Sequence, residues 1–422
     1  MLDSTPGGSR PSVARLALTA SVLVAGMLPL PTGWLRSLRD VARSQDLNRA
    51  DREATAGGYY EGLIGGAGTN SRGVPSALEV ALVGKPIDRN RDLVRRIMHE
   101  RDADFLQFEL KANADDVFFG ERFTTNAEGM RDGEYPLAKP ADVFRIVLLG
   151  SSIDMGWGVA TPDTYENRLE RWLNAEAGRR GLPRRFEVLN FSVAAYGPAQ
   201  RYDAFHRRAL PYAPDLVLLS ATLLDPRLTE IHLGGLIKNE VDLKYDFFRD
   251  AVAAAGIDPG RERSRTWEQL DHRLGYKARV KEHYWTFADA TVATIAADCR
   301  SLDIPLATLL VPRACRDDDP DTRSLAVARH SAIGERHAVP FLDLSATFDG
   351  IAPRRVEVAP GDDHPNPLGH RLLFEQLART LVDHPTLAPT LFGPAAPAAT
   401  AASTCPCSHC REEAQSRSSL RP

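Results

Sequence analysis

The sequence predicts an α/β protein built around a parallel sheet of five strands. From residue 144 onward, five short apolar runs alternate with longer stretches of helical periodicity. Continuous runs rich in Val, Ile and Leu are typical of strands buried on both faces. Helical segments between such strands indicate βαβ units and a parallel sheet. The predicted strands are Phe144–Leu149, Phe186–Leu189, Leu216–Leu219, Leu306–Val311 and Pro340–Leu344.

Three helices have clear sequence signals. Thr161 followed by Pro162 is typical of an N-cap with proline at the first helical position, so we expect a helix to start there. The apolar residues after it recur at helical spacing, as they do near residues 285–299 and in the last helix. The three stripes are Tyr165–Leu169–Trp172–Leu173, Trp285–Ala288–Val292–Ile295–Cys299 and Leu373–Leu377–Leu381.

Composition excludes several classes of protein. The chain has 422 residues, is 43% hydrophobic and carries a formal net charge of −4. These values exclude a collagen-like chain, a disulfide miniprotein, a multi-span membrane protein and a wholly disordered chain. No run of like charge suggests nucleic-acid binding. Of five cysteines, Cys299 and Cys315 either pair or stay free, and the Cys405–Cys410 tail cluster fits no standard zinc spacing.

The chain divides into four predicted segments. Arg10 and Arg15 precede an apolar run at 16–30 that is shorter than a membrane-spanning helix, so 1–31 is predicted to be a signal peptide or membrane anchor. The protein is therefore expected to be exported (periplasmic, extracellular or membrane-anchored), with membrane attachment through 16–30. The other segments are an extension (32–135), a main domain (136–384) and a Pro/Ala/Thr-rich tail predicted to be disordered (385–422). Within the main domain, an insertion at 226–280 is expected to form a lid or a substrate wall.

Two loops that follow predicted strands contain reactive residue types. Ser152 lies in the loop Gly150-Ser151-Ser152, which directly follows the first strand, where a tight turn suits a nucleophile. Asp362 precedes His364 by two residues, a spacing that lets a carboxylate orient an imidazole in an extended segment. Ligands of open α/β sheets bind beyond the carboxyl ends of the strands. The pattern therefore predicts a Ser–His–Asp site.

Several motifs, taken in order, resemble those of the SGNH/GDSL hydrolases. The similarity runs from about residue 122 to 383 and is interrupted by the insertion. The order of the set makes it specific, whereas each piece alone is weak. The motifs are Asn126-x-x-Gly129-Met130-Arg131, Phe144 through Gly150-x-Ser152, Gly156-Trp157-Gly158-Val159, Asn190-x-x-Val193 with Tyr196-Gly197, Pro214-Asp215-Leu216-Val217, and Asp362-x-His364-Pro365-Asn366-x-x-Gly369-His370.

The resemblance implies a flavodoxin-like three-layer α/β/α sandwich with strand order 2-1-3-4-5. It also implies a hydrolase or acyltransferase that acts on esters, with Ser152 as nucleophile and His364 as base. Asp362 would orient His364, and Asp363 is the rival for that role. The backbone N–H groups of Ser152 and Ser192 would hold the oxyanion.

Other positions depart from the family pattern. Ser192 stands where the family has a glycine, and Leu224 stands where it has the oxyanion asparagine. Losing such a donor typically costs about 2.7–4 kcal/mol, or 10²–10³ in rate. Thr222 is an alternative donor. Asp154 and Trp157 either line the pocket or pack beneath the loop, and His370 is expected to cap or pack.

The leading functional hypothesis is an exported esterase that works through acyl-Ser152. The expected partner is an ester-bearing small molecule or an acylated glycan, and the chemistry needs no cofactor or metal. One alternative is a cell-surface polysaccharide O-acyltransferase. Another is a non-catalytic carbohydrate-binding protein on the same scaffold, an idea that Leu224 and Ser192 favour and that the retained Ser152 and His364 oppose.

Overall fold

A computed structural model describes residues 96–101, 103–263, 270–314, 320–359 and 362–393. The predicted signal peptide or anchor and the Cys405–Cys410 cluster lie outside these ranges. Five parallel strands form the central sheet. They are β5 (Val143–Leu149), β6 (Arg185–Asn190), β7 (Leu216–Ala221), β8 (Leu306–Leu310) and β9 (Phe341–Asp343).

The order of the strands across the sheet is β6-β5-β7-β8-β9. Each neighbouring pair is parallel, with Val147 opposite Leu189 on one side and opposite Val217 on the other. In chain order this is 2-1-3-4-5, which confirms the predicted fold class. Each strand lies within two residues of its predicted bounds, because uninterrupted apolar runs mark a strand buried on both faces.

Ten helices connect and cover the strands of the described chain. They are α1 (Ser152–Met155), α2 (Tyr165–Arg180), α3 (Pro198–Ala204), α4 (Asp225–Lys238), α5 (Asp246–Ala254), α6 (Pro259–Arg263), α7 (Leu270–Ser301), α8 (Pro320–His337), α9 (Pro367–Asp383) and α10 (Leu387–Phe392).

The two faces of the sheet carry separate cores. In β5, Ile146 and Leu148 face a core completed by α2, α9 and α10. Val147 and Leu149 face the opposite core, to which α7 contributes Val292 and other buried residues. Successive side chains of a strand point to opposite faces, so one apolar run serves both layers. The domain is thus the three-layer sandwich that the sequence predicts.

The start of α2 differs from the prediction. Residues Thr161–Asp163 form a short 3₁₀ turn, and α2 begins four residues later at Tyr165. Its cap is Thr164, whose Oγ1 accepts the N–H of Asn167 at 3.3 Å. The prediction was wrong because a second threonine offers an equivalent cap one turn further on.

Residues 96–135 of the predicted N-terminal extension pack on the sheet domain. They form two antiparallel hairpins, β1–β2 (Met98–Arg101, Gln107–Leu110) and β3–β4 (Asp115–Phe118, Glu121–Thr124). The buried Arg131 guanidinium donates to the carbonyls of Met155, Gly156 and Val159. The boundary predicted at 135/136 is therefore not a structural boundary, since one side chain ties this segment to the loop after α1.

The insertion predicted at 226–280 is helical where it is described. Its aromatic side chains pack inward, with Tyr245 against Tyr202 (4.8 Å between ring centroids) and Phe248 against Phe105 (5.6 Å). The start of α4 is fixed by a doubly hydrogen-bonded ion pair between Arg201 and Asp225, both 2.6 Å contacts and both buried. Phe248 is thus buried and Tyr245 partly buried in these contacts, while the lid or substrate wall expected of the insertion stays a prediction.

The predicted disordered tail begins too early. Leu387, Leu391 and Phe392 of α10 are buried in the core beneath α2 and α9. Leu387 and Leu391 are four residues apart, a helical spacing, but the surrounding Pro and Ala give the segment the composition of a disordered tail. Cys299 is a free, buried thiol on α7. Among the described helices, none is long and apolar enough to cross a membrane.

Candidate active site

A tight turn after β5 presents Ser152. Gly150 occupies this turn because an added Cβ would lie 2.1 Å from the Asp154 carboxylate. That carboxylate accepts the N–H of Ser151 at 2.7 Å and the hydroxyl of Tyr165 at 2.6 Å. Burial raises the pKa of Asp154 above its usual value, although these hydrogen bonds oppose the rise. Asp154 is therefore buried beneath the loop, where its hydrogen bonds hold the turn in place.

His364 joins Ser152 to a carboxylate. Its Nε2 lies 2.7 Å from Ser152 Oγ, and its Nδ1 lies 2.6 Å from Asp362 Oδ1. The same Asp362 oxygen accepts the backbone N–H of His364 at 2.9 Å, which fixes the carboxylate against the ring. Serine, imidazole and carboxylate thus form one continuous hydrogen-bonded chain, the arrangement of a nucleophile, a base and its orienting group.

The structure separates the roles of the two adjacent aspartates. Asp363 Oδ1 lies 3.6 Å from His364 Nδ1, outside hydrogen-bond distance, and its Oδ2 pairs with Arg313 at 3.2 Å. Asp362 therefore holds the imidazole, as the two-residue spacing predicts. Asp363, the rival, contributes charge at a distance.

The charges around His364 favour its protonated form. Burial alone would lower the pKa of His364, but Asp362, with a further contribution from Asp363, raises it above the usual histidine value, while Arg313 opposes them. Burial likewise opposes the ionised form of Asp362, yet the contacts with His364 keep the pKa of that carboxyl below its usual value. A base with these neighbours is well suited to stabilise the imidazolium that forms during proton transfer.

An aromatic stack supports the imidazole. The Trp157 ring lies 5.1 Å from the His364 ring in a stacked orientation, and Trp157 is fully buried. Phe119, at the tip of the β3–β4 hairpin, also contacts the Trp157 ring, with 5.7 Å between ring centroids. Trp157 therefore packs between hairpin and base, and sequence reasoning missed the hairpin because it lies more than 200 residues from His364.

His370 has the packing role predicted for it. Its Nδ1 accepts the N–H of Tyr165 at 3.1 Å, and its ring stacks on the Tyr165 ring. Burial lowers the pKa of His370 to about 3, so the ring is neutral at ordinary pH. It joins α9 to the start of α2 and takes no part in the hydrogen-bonded chain of Ser152.

The predicted oxyanion residues come from three loops. Ser152 is the first residue of α1, and no acceptor for its backbone N–H is found within the described ranges. The Ser192 N–H donates to Asn190 Oδ1 at 3.0 Å. Leu224 is half-buried against the cluster of Met155, Trp157 and Val193, and it brings an apolar side chain where the family has an amide.

Thr222 is oriented toward α4. Its Oγ1 accepts the N–H of Leu224 at 3.4 Å, and its carbonyl accepts the N–H of Asp225 at 3.0 Å. Through these contacts Thr222 stabilises the backbone at the start of α4, as threonine side chains commonly do next to a helix N-terminus.

A buried polar network that the sequence did not reveal fixes Asn190. Its Nδ2 donates to the Asp154 carbonyl at 2.9 Å and reaches Glu166 Oε2 at 3.5 Å, while its backbone N–H donates to Asp132 at 3.1 Å. Burial raises the pKa of Asp132 to about 7 and that of Glu166 well above its usual value. The hydrogen bonds of this network tie the loop after β6 to α1.

Asp362, Asp363 and His364 also bring three possible metal-ligating atoms within 4.8 Å of one another. The Nδ1 of His364 is already hydrogen-bonded to Asp362, and Nε2 faces Ser152. This donor set suits proton transfer to and from Ser152, because both ring nitrogens are directed along the Ser–His–Asp chain.

Strand order and site together define the class of fold. A nucleophile candidate follows the first sheet strand, β5, and an Asp–His pair precedes the closing helix of a 2-1-3-4-5 sheet. The described domain therefore has an SGNH hydrolase-like fold, as the motif resemblance implies.

Solved structures similar to this chain include three esterases. A two-domain esterase active on acetylated mannans is 12% identical (TM-score 0.35), and the match covers 60% of this chain but only 51% of that one. The acetylxylan esterase from Geobacillus stearothermophilus is 15% identical (TM-score 0.35; 56% of this chain, 93% of that chain). The psychrotrophic esterase EstA from Pseudoalteromonas sp. is 11% identical (TM-score 0.34; 56% and 94%). No protein-family model and no curated protein matches the chain.

Proposed function

We propose that this protein is a serine-dependent esterase that cleaves an acyl or acetyl ester. The observation that carries the proposal is the hydrogen-bonded chain from Ser152 Oγ through His364 to Asp362, with contacts of 2.7 and 2.6 Å. A histidine tied on both sides in this way removes the proton from a serine hydroxyl and so makes it a nucleophile.

The reaction proceeds in two acyl transfers. His364 Nε2 takes the Ser152 proton while Oγ bonds to the ester carbonyl carbon, and the carbonyl oxygen becomes an oxyanion. His364 then returns the proton to the leaving alkoxide, which leaves as an alcohol from acyl-Ser152. A water molecule, deprotonated by His364, attacks the acyl group, and the acid product leaves as Ser152 regains its proton.

The substrate class follows from the resemblance to SGNH/GDSL hydrolases. We propose an ester-bearing small molecule or an acylated glycan, met outside the cytoplasm after export through the 1–31 segment. Membrane attachment through 16–30 is part of the same proposal. Acetyl esters and acetylated glycans are the first substrates to screen.

One observation favours a second candidate, the cell-surface polysaccharide O-acyltransferase. Ser152 is 2% exposed and His364 is 3% exposed, so the reacting pair is shielded from bulk water. Transfer to a sugar hydroxyl requires that water be excluded from the acyl-serine, whereas hydrolysis requires that it enter. Acetyl transfer to an oligosaccharide, measured beside acetate release, separates the two activities.

Fluorophosphonate labelling of the full-length chain tests the proposal. We expect one adduct, located on Ser152 by peptide mass spectrometry, and no adduct in the Ser152→Ala and His364→Ala variants. Asp383→Asn changes an exposed residue at the C-terminal end of α9, the end remote from His364, and as the matched control it should label like the wild type. Absence of labelling in a folded wild-type chain would contradict the proposal and favour the alternative of a non-catalytic carbohydrate-binding protein.

A further inference from the structure

The hydroxyl of Ser192 is a buried polar group without a use in the fold. Ser192 is 1% exposed, and its Oγ has no hydrogen-bond partner among the described residues. A buried hydroxyl left unpaired costs about 1–3 kcal/mol, so such groups are uncommon and call for an explanation. The backbone N–H of the same residue is paired, because Asn190 Oδ1 accepts it at 3.0 Å.

The fold brings this hydroxyl to the loop that carries Ser152. Strands β5 and β6 are neighbours, and beyond their paired ends the N–H of Phe191 donates to the Leu148 carbonyl at 2.9 Å. Asn190 Nδ2 then reaches the Asp154 carbonyl on α1, whose first residue is Ser152. The segment Asn190–Ser192 is thereby hydrogen-bonded to both ends of the nucleophile turn.

Burial of the two serines is matched. Ser152 is 2% exposed and Ser192 is 1% exposed. They follow β5 and β6, which are neighbouring parallel strands, so both are buried at the carboxyl edge of the sheet. Hydrogen bonds to developing charge are strongest in such surroundings, since water does not compete for the donor.

We propose that the Ser192 hydroxyl donates a hydrogen bond to the oxyanion formed at Ser152, in place of the side-chain amide that Leu224 lacks. The assignment rests on the esterase function proposed above. Because the Ser192 N–H is hydrogen-bonded to Asn190 within the loop, the hydroxyl is the group of Ser192 that can donate to the substrate. The unpaired Oγ gains its partner when the carbonyl oxygen becomes negative, which makes the interaction selective for the transition state.

Steady-state hydrolysis of p-nitrophenyl acetate by the full-length chain tests the assignment. We expect Ser192→Ala and Ser192→Gly to lower kcat by about 10²–10³-fold with KM little changed, because the lost donor acts on the oxyanion. Ser345→Ala removes another buried serine hydroxyl, at the end of β9, and should leave kcat unchanged. Circular dichroism of each variant checks that it is folded. If Ser192→Ala does not fold, the test is made with Ser192→Gly.

A double variant sharpens the result. Leu224→Asn restores a side-chain amide, and in the Ser192→Ala background we expect it to recover part of the lost kcat. Ser192→Gly with wild-type kcat overturns the assignment, because a backbone N–H then suffices. Equal loss in Ser192→Ala and Ser345→Ala also overturns it. If Ser152 of the wild type takes no fluorophosphonate, the esterase function itself fails; if Ser152 is labelled but Ser192→Ala keeps its kcat, only the Ser192 assignment fails.

Discussion

The two halves of the candidate site differ in how they are built. The acid–base half consists of Ser152, His364 and Asp362, whose side chains are joined by two hydrogen bonds of 2.7 and 2.6 Å. The proposed oxyanion half lies in the loops of Ser192 and Leu224, which follow two other strands. Leu224 has no side-chain donor, and the Ser192 N–H is already bonded to Asn190. Proton transfer depends on one continuous chain, whereas oxyanion donors act side by side. Residues of the oxyanion half can therefore be substituted while the hydrogen-bonded chain of the acid–base half stays intact.

The largest expected effect comes from breaking the acid–base half. Ser152→Ala and His364→Ala should each lower kcat by about 10⁶-fold, since the groups act as one unit and either loss removes the nucleophilic pathway. Hydrolysis of p-nitrophenyl acetate and active-site titration measure the loss. The double variant should be no worse than either single one; additive losses would show that Ser152 and His364 do not work together.

The two aspartates provide a matched pair within the same half. Asp362→Asn should lower kcat by about 10⁴-fold, because an amide at this position stabilises the wrong imidazole tautomer. Asp363→Asn should keep most of the activity, since its carboxylate lies 3.6 Å from Nδ1 and pairs with Arg313. Steady-state kinetics at one pH compares them, and the reverse ranking would assign the orienting role to Asp363.

The sequence predicts the strands and the Asp362–His364 pair because each is a local pattern, whereas Ser152 and His364 are brought together by the predicted sheet topology. The strands are uninterrupted apolar runs, and Asp362 and His364 lie two residues apart. The environment of Ser192 is set instead by distant groups. Asn190 owes its orientation to the Asp154 carbonyl and Glu166, contacts that no spacing in the sequence announces.

Buried charge was the other feature that sequence reasoning missed. Acidic residues such as Asp132 and Glu166 usually lie at the protein surface, yet here they are shielded from solvent where the N-terminal segment meets α2. Tyr135 bonds both Asp132 at 2.9 Å and Glu170 at 3.2 Å, which adds a third acid to this enclosure. Only the three-dimensional packing of residues 96–135 on the sheet domain shows that Glu166 is buried and that Asp132 and Glu170 are partly buried.

Repairing the oxyanion half should raise the rate. Leu224→Asn in the wild-type background is expected to increase kcat about tenfold, less than the 10²–10³ of a whole donor, because Ser192 already supplies one in our proposal. Leu224→Ala is the matched control, since it removes the apolar side chain without adding an amide, and kcat should not rise. A comparable gain in both variants would point to a wider entrance and not to a new hydrogen bond.

The smallest effect expected is a shift in pH dependence, and it tests the electrostatics of the acid–base half. His364 accepts the Ser152 proton only when the imidazole is neutral, so kcat/KM should rise with pH through the pKa of His364. That pKa is raised above the ordinary histidine value of about 6.5, because Asp362 and Asp363 outweigh burial and Arg313.

Two substitutions should displace this pH profile in opposite directions. Asp363→Asn removes a negative charge that favours the imidazolium, so the pKa of His364 falls and the acid limb moves to lower pH. Arg313→Gln removes a positive charge that disfavours it, so the limb moves to higher pH. The measurement is kcat/KM against pH at constant ionic strength, with 1 M salt as a second condition in which exposed charges are screened but buried ones much less. Shifts of the same sign in both variants would show that the limb reports a group other than His364, and the acid–base half would then need a different base.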